Sequence, residues 1–83
     1  MPGFLVETYL PRRDAHELAA RERGARAAAE ELTHEAAPIR FDRCLHVPDD
    51  ETCFYVFEAP SAADVARAAR RAGLDPIRIV EAT

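Results

Sequence analysis

The segment from Cys44 to Ala59, CLHVPDDETCFYVFEA, places two cysteines and one histidine on either side of a short acidic loop. Thiolate sulfur and imidazole nitrogen are good ligands for zinc, nickel and copper ions, because their lone pairs are polarisable. Cys44, His46 and Cys53 are therefore candidate metal ligands. Their spacing matches no zinc-finger or zinc-ribbon pattern. The alternative interpretation is that both thiols are small residues packed in an interface, with His46 at its rim.

Glu7 is a candidate ligand of another kind, a carboxylate within the apolar segment FLVETYL. Such a side chain either forms an ion pair with Arg40 or Arg78 or supplies an oxygen ligand. The other two histidines, His16 and His34, are expected in solvent near the ends of a helix. The chain has no HExxH motif, no paired CxxC motif and no glycine-rich phosphate loop. The sequence therefore assigns no acid, base and nucleophile to one place, and it favours a binding protein over an enzyme.

The composition is that of a single small acidic domain spanning residues 1–83, with a net charge of −4 and a hydrophobic fraction of 48%. The acidic balance does not favour nucleic acid or an anionic membrane as a partner. No stretch approaches the ~18 apolar residues of a membrane-spanning helix, and the N-terminal apolar run is too short for a signal peptide. We therefore expect a cytoplasmic protein in which both thiols are reduced.

The small size of the domain also bears on its association state. A domain of this length buries only about 60% of the surface of its unfolded chain, so its stability as a monomer is expected to be marginal. A homodimer is the expected partnership, particularly if one face of the sheet has no helix over it.

Four predicted strands and two predicted helices must position the candidate ligands. Strand patterns and helix signals predict strand 4–10, a helix from Asp14 to before Pro38, strand 39–47, strand 52–59, a helix between Ser61 and Gly73, and strand 76–82. The order βαββαβ is that of the α+β ferredoxin-like sandwich. In that fold, two helices cover one face of a four-stranded antiparallel sheet and leave the other face open.

The hairpin formed by the second and third strands decides which side chains meet. In its simplest register, a loop of residues 48–51 places His46 opposite Cys53 and Cys44 opposite Tyr55. Directly opposed residues share a face, with Cβ atoms about 4.5–5.5 Å apart.

The alternation of apolar residues then predicts which face is the core. The side chains expected to face the helices are those of Ile39, Phe41, Leu45, Val47, Phe54 and Val56. The side chains expected on the open face are those of Asp42, Cys44, His46, Cys53, Tyr55 and Phe57, together with Glu7 and Tyr9 of the first strand.

The segments FLVETYLPR, RFDRCLHVPDDETCFYVFEAPSAADVARAARRAGL and IRIVEA resemble a family of small actinobacterial ferredoxin-like proteins, described as a domain of unknown function. The most specific part is the acidic turn followed by ETCFY, EAPSA and a helix ending in AGL. One member of that family is a dimer that binds nickel, so the resemblance implies a nickel-binding homodimer. Glu7 and Cys53 stand where the family's acidic and cysteine positions are expected. Many members have a histidine on the first strand, where Tyr9 stands here, and another in the second helix, near Ala68.

These observations predict a cytoplasmic homodimer that binds a divalent transition metal, with nickel preferred, and that acts as a metal buffer, sensor or carrier. The predicted ligands are Glu7, Cys44, His46 and Cys53. Two alternatives stay open. One is a dimeric enzyme of the monooxygenase or isomerase type with a pocket lined by Tyr9, Asp42, His46 and Tyr55. The other is an interaction module without a ligand.

Overall fold

The computed structural model of the chain describes residues 1–82 and contains four strands and two α-helices within them. In chain order these are β1 (Gly3–Tyr9), α1 (Leu18–Glu35), β2 (Arg40–Val47), β3 (Thr52–Glu58), α2 (Ala62–Arg71) and β4 (Pro76–Ala82). Short 3₁₀ turns precede α1 at Arg12–Glu17 and join β2 to β3 at Pro48–Asp50. No helix among the described residues has both the length and the apolar character needed to cross a bilayer.

The four strands form one antiparallel sheet in the order β2–β3–β1–β4, which places β1 and β3 in its centre. This order, with two helices packed on one face, confirms the predicted ferredoxin-like βαββαβ sandwich.

The ends of the helices follow local sequence signals to different degrees. Ser61 caps α2, because its Oγ accepts a hydrogen bond of 3.3 Å from the amide of Asp64. Gly73 follows α2 with φ +74°, a left-handed conformation that glycine adopts without the steric cost of a Cβ. Ser61 and Gly73 therefore bound α2 as the sequence predicted. The predicted start of the first helix at Asp14 is wrong, because residues 12–17 form a 3₁₀ turn and α1 begins at Leu18.

The core consists of large side chains from the sheet packed against small side chains from the helices. The buried residues of α1 are Ala25, Ala28, Ala29 and Leu32, and those of α2 are Val65, Ala68 and Ala69. Alanine faces let the helices approach the sheet closely, so the sheet must supply most of the apolar volume. Its buried residues include Phe4, Val6, Phe41, Tyr55 and Phe57.

The predicted register of the hairpin is confirmed, since His46 pairs with Cys53 and Cys44 pairs with Tyr55. The register changes between Phe41 and Arg43, where two residues of β2 advance against one residue of β3. This is a β-bulge with Asp42 as the extra residue, and it changes the parity of the strand.

The prediction of the faces is therefore wrong for β3 and for the part of β2 that follows the bulge, whereas Ile39 and Phe41 are buried as predicted. Phe41 and Cys44 share the helix-facing side of β2, because they pair with Phe57 and Tyr55, which both point to that side and are fully buried. The residues predicted in the core that instead lie on the open face are Leu45, Val47, Phe54 and Val56. The residues predicted on the open face that instead face the helices are Cys44, His46, Cys53, Tyr55 and Phe57.

Candidate functional site

The sheet separates the four predicted metal ligands into two groups. Cys44, His46 and Cys53 lie on the helix-facing side of β2 and β3. Glu7 lies on the open face, because its neighbours in β1, Val6 and Thr8, point into the core. The structure brings the first three into one region and leaves Glu7 on the other side of the sheet.

Glu7 forms the ion pair that the sequence offered as its alternative role. Its Oε1 accepts a hydrogen bond of 2.7 Å from Nε of Arg78, which is the residue opposite it in β4. Because the arginine is mostly exposed, this pair contributes little to stability. It does occupy one carboxylate oxygen of Glu7.

The two thiols are buried to different degrees and lie at neighbouring positions of the hairpin. Cys53 is fully buried, and Cys44 is partly buried. The Cys44 thiol donates a hydrogen bond of 3.1 Å to Oε2 of Glu22 in α1. Burial, reinforced by this bond, raises the pKa of Cys44 to about 12, and burial also raises the pKa of Cys53. Both thiols are therefore protonated at neutral pH, and a metal ion must displace a proton to bind either one.

His46 lies next to the start of the 3₁₀ turn that precedes α1. Its Nε2 is 3.3 Å from the backbone oxygen of Leu10, so an N–H at Nε2 donates to that oxygen. In this tautomer Nδ1 carries the free lone pair. The ring is partly buried and lies opposite Cys53.

Three further polar side chains lie in this region, of which Arg21 and Glu22 were not predicted and Tyr55 was predicted only as a pocket residue of the alternative enzyme. Glu22 and Arg21 belong to α1, and Tyr55 lies in β3 opposite Cys44. The hydroxyl of Tyr55 is buried and has no hydrogen-bond partner among residues 1–82. Burial, with a smaller contribution from Cys53, raises the pKa of Tyr55. Helical spacing could have identified Arg21 and Glu22, which fall between Leu18 and Ala25 on the stripe of α1 that faces the sheet.

The side chains on the helix-facing side form pairs of potential donors. Cys44 lies beside the carboxylate of Glu22, and His46 lies opposite Cys53. Within the described part of the chain, no three His, Cys, Asp or Glu side chains are grouped closely enough to hold one metal ion. Thiol, imidazole and carboxylate groups are suitable ligands for a borderline metal ion. Their positions within this chain would supply only part of its coordination shell.

The raised pKa of Cys44 makes a prediction about its reactivity. At pH 8, native Cys44 is expected to react with iodoacetamide at least about tenfold more slowly than in the urea-unfolded chain, and its rate should increase with pH, because only the thiolate is nucleophilic. The Glu22→Gln variant removes the negative charge that helps to raise this pKa and leaves only a weaker, neutral acceptor for the thiol, so its Cys44 should react faster than that of the wild type. Mass spectrometry of the peptide that contains Cys44 measures both rates.

The exposed Glu31→Gln variant is the matched control for the loss of one negative charge from α1 and should leave the rate unchanged. Equal rates for Cys44 in the native and unfolded chains would contradict the packing of this thiol against Glu22.

Comparison with known proteins gives one family and one solved structure. The model of the family described as nickel responsive protein, SCO4226-like, matches residues 4–82. The crystal structure of SCO4226 from Streptomyces coelicolor A3(2) is similar, with a TM-score of 0.79 and 21% identity over 96% of this chain and 94% of that chain. At this identity the structural likeness shows the fold alone. No protein with a curated description matches the chain.

Proposed function

This chain belongs to the SCO4226-like family of nickel responsive proteins, and we propose that it binds nickel and acts as a buffer, sensor or carrier of that metal in the cytoplasm. The observation that carries the proposal is the match of the family model, which extends over residues 4–82 and so includes every predicted ligand. The likeness to SCO4226 supports the fold in which those ligands are held.

The donor atoms on the helix-facing side fit nickel chemically. Imidazole nitrogen and thiolate sulfur are suitable ligands for this borderline ion. We propose that Cys44, His46 and Cys53 supply them, with Nδ1 of His46 as the available nitrogen. Glu7 cannot join this group through the sheet. Glu7 could therefore ligate a metal ion only on the open face. There, a second copy of the chain would supply the other ligating groups.

The homodimer is proposed from the character of the open face. The apolar side chains that no helix covers there include those of Leu5, Leu45, Val47, Phe54, Val56 and Val80. Leu45 alone is 45% exposed. A second copy packed on this face would bury these side chains together with the Glu7–Arg78 pair, as expected of an apolar patch that marks an interaction site.

Calorimetry with nickel at about pH 7.5 tests the proposed ligands, because binding to a thiol displaces a proton and should strengthen by up to about tenfold per pH unit for each proton released. We expect a saturable binding heat in the wild type and its loss in the His46→Ala, Cys53→Ala double variant. The His16→Ala, His34→Ala double variant removes two exposed histidines and should bind nickel as the wild type does.

A separate Glu7→Gln variant distinguishes the two faces of the sheet. Loss of binding in Glu7→Gln alone, with wild-type affinity in the His46→Ala, Cys53→Ala variant, would move the site to the open face. Absence of any saturable heat in the wild type would contradict nickel binding itself.

A further inference from the structure

The thiol of Cys44 and the carboxylate of Glu22 form a contact between the edge strand β2 and helix α1. The thiol donates to Oε2 of Glu22, and the sulfur and oxygen atoms are 3.1 Å apart. The other oxygen, Oε1, is 4.0 Å from Nη2 of Arg26. Thiolate sulfur and carboxylate oxygen both bind divalent transition metals. The contact therefore holds two ligating atoms side by side once the thiol has lost its proton.

The spacing of these two atoms suits a metal ion that holds neighbouring ligands at a right angle. With bond lengths of about 2.3 Å to sulfur and about 2.1 Å to oxygen, two atoms 3.1 Å apart subtend an angle of about 90° at the metal. A tetrahedral ion with the same bond lengths would need them about 3.6 Å apart. Square-planar coordination, which nickel(II) and copper(II) adopt, has right angles, whereas zinc prefers the tetrahedron. Without any movement, the pair fits nickel better than zinc.

The same pair is the accessible part of the proposed site. The side chain of Glu22 is 44% exposed and Cys44 is partly buried, whereas Cys53 is fully buried. A metal ion that arrives from solvent therefore meets Glu22 and Cys44 first. Within residues 1–82, no three His, Cys, Asp or Glu side chains are grouped closely enough to hold one metal ion. The contact of Cys44 with Glu22 is thus a part of the coordination shell that already exists in the metal-free chain.

We propose that Glu22 is a nickel ligand together with Cys44, and that the metal ion takes the place of the proton through which the thiol contacts the carboxylate. This role of Glu22 rests on the proposed binding of nickel and adds to it a ligand from α1 that the sequence did not predict. In the exchange, Ni²⁺ enters and the thiol proton passes to water, and no atom is oxidised or reduced. One thiolate and one carboxylate neutralise the two charges of the ion, as a partly buried cation requires.

The Glu22→Gln variant gives opposite results for a ligand and for a mere neighbour of the thiol. If Glu22 only contacts Cys44, the loss of its negative charge eases deprotonation of the thiol, and nickel should bind at least as tightly as in the wild type. If Glu22 ligates the metal, a neutral amide replaces an anionic ligand, and we expect the Kd for nickel to increase at least about tenfold. Calorimetry at constant pH measures the Kd, and the nickel–thiolate charge-transfer absorption reports whether sulfur is bound.

Two further variants separate ligation from charge. Glu22→His restores a ligating group without the negative charge, so it should bind nickel more tightly than Glu22→Gln. Glu31→Gln removes an exposed carboxylate from the same helix and should leave the Kd unchanged. Wild-type affinity in Glu22→Gln, or equally weak binding in Glu22→Gln and Glu22→His, would overturn the role of Glu22 and leave the proposed function intact. A wild-type chain without saturable nickel binding would contradict both.

Discussion

Replacement of Phe57 by alanine is expected to lower the free energy of unfolding by about 3–5 kcal/mol, the usual cost of removing a buried phenylalanine ring. The side chain of Phe57 is fully buried, and its ring packs edge-to-face against that of Phe41 with centroids 5.3 Å apart. It also lies opposite Phe4 in β1. The helices contribute mostly alanine to this core, so their short side chains cannot extend into the cavity. A domain of this size has little stability to spare, and the variant should be largely unfolded at physiological temperature.

The matched control is Phe54→Ala, which removes the same ring from the same strand on its opposite face. Phe54 is partly exposed, so its truncation should cost about 1 kcal/mol in the monomer, by the area that it withdraws from water. Urea denaturation followed by circular dichroism measures both free energies, at low protein concentration so that association does not contribute. A larger loss for Phe54→Ala than for Phe57→Ala would show that the faces of β3 are the reverse of those described.

A charge placed in the centre of the open face should abolish the proposed homodimer. Val56 lies on this face in β3, opposite Leu5 of β1. In a symmetric dimer, Val56→Glu would bury two carboxylates in an apolar interface at a cost of several kcal/mol. We expect the affinity of the dimer to fall at least about 100-fold, which corresponds to about 3 kcal/mol. Sedimentation velocity over a range of concentrations gives the dissociation constants of both proteins.

The Ala20→Glu variant adds the same charge at an exposed position of α1 and should remain dimeric. Val56→Glu should also keep the secondary structure of the wild type, because its side chain is partly exposed in the monomer. A wild-type chain that sediments as a monomer, or a Val56→Glu variant that remains a dimer, would contradict association through this face.

The family predicted from the sequence is the one whose model matches the chain. The structure restricts which of the predicted ligands can bind the same metal ion. The match over residues 4–82 confirms the predicted family. The separation of Glu7 from Cys44, His46 and Cys53 means that a site which uses all four residues within one chain does not form. If the chain binds nickel, the site can therefore lie on either of two faces of the sheet, and the variants described above distinguish them.

Features that depend on short stretches of chain could be predicted from the residues alone. The order of helices and strands follows from periodicity, the cap at Ser61 from its hydroxyl, and the end of α2 from the left-handed conformation of Gly73. The register of the hairpin also follows from its loop, because a turn of fixed length decides which residues of β2 and β3 are opposed.

The side of the hairpin that faces the helices depends on contacts between distant parts of the chain and could not be predicted from alternation. Both faces of β3 are apolar, with Tyr55 and Phe57 on one and Phe54 and Val56 on the other, so alternation alone does not distinguish core from surface. The bulge at Asp42 then changes the parity of β2, which turns Cys44 and His46 toward α1 and leaves Leu45 outside. One extra residue in one strand moves every later side chain to the opposite face. The hydrogen bond of Cys44 to Glu22 depends on that change, and it joins residues far apart in the chain.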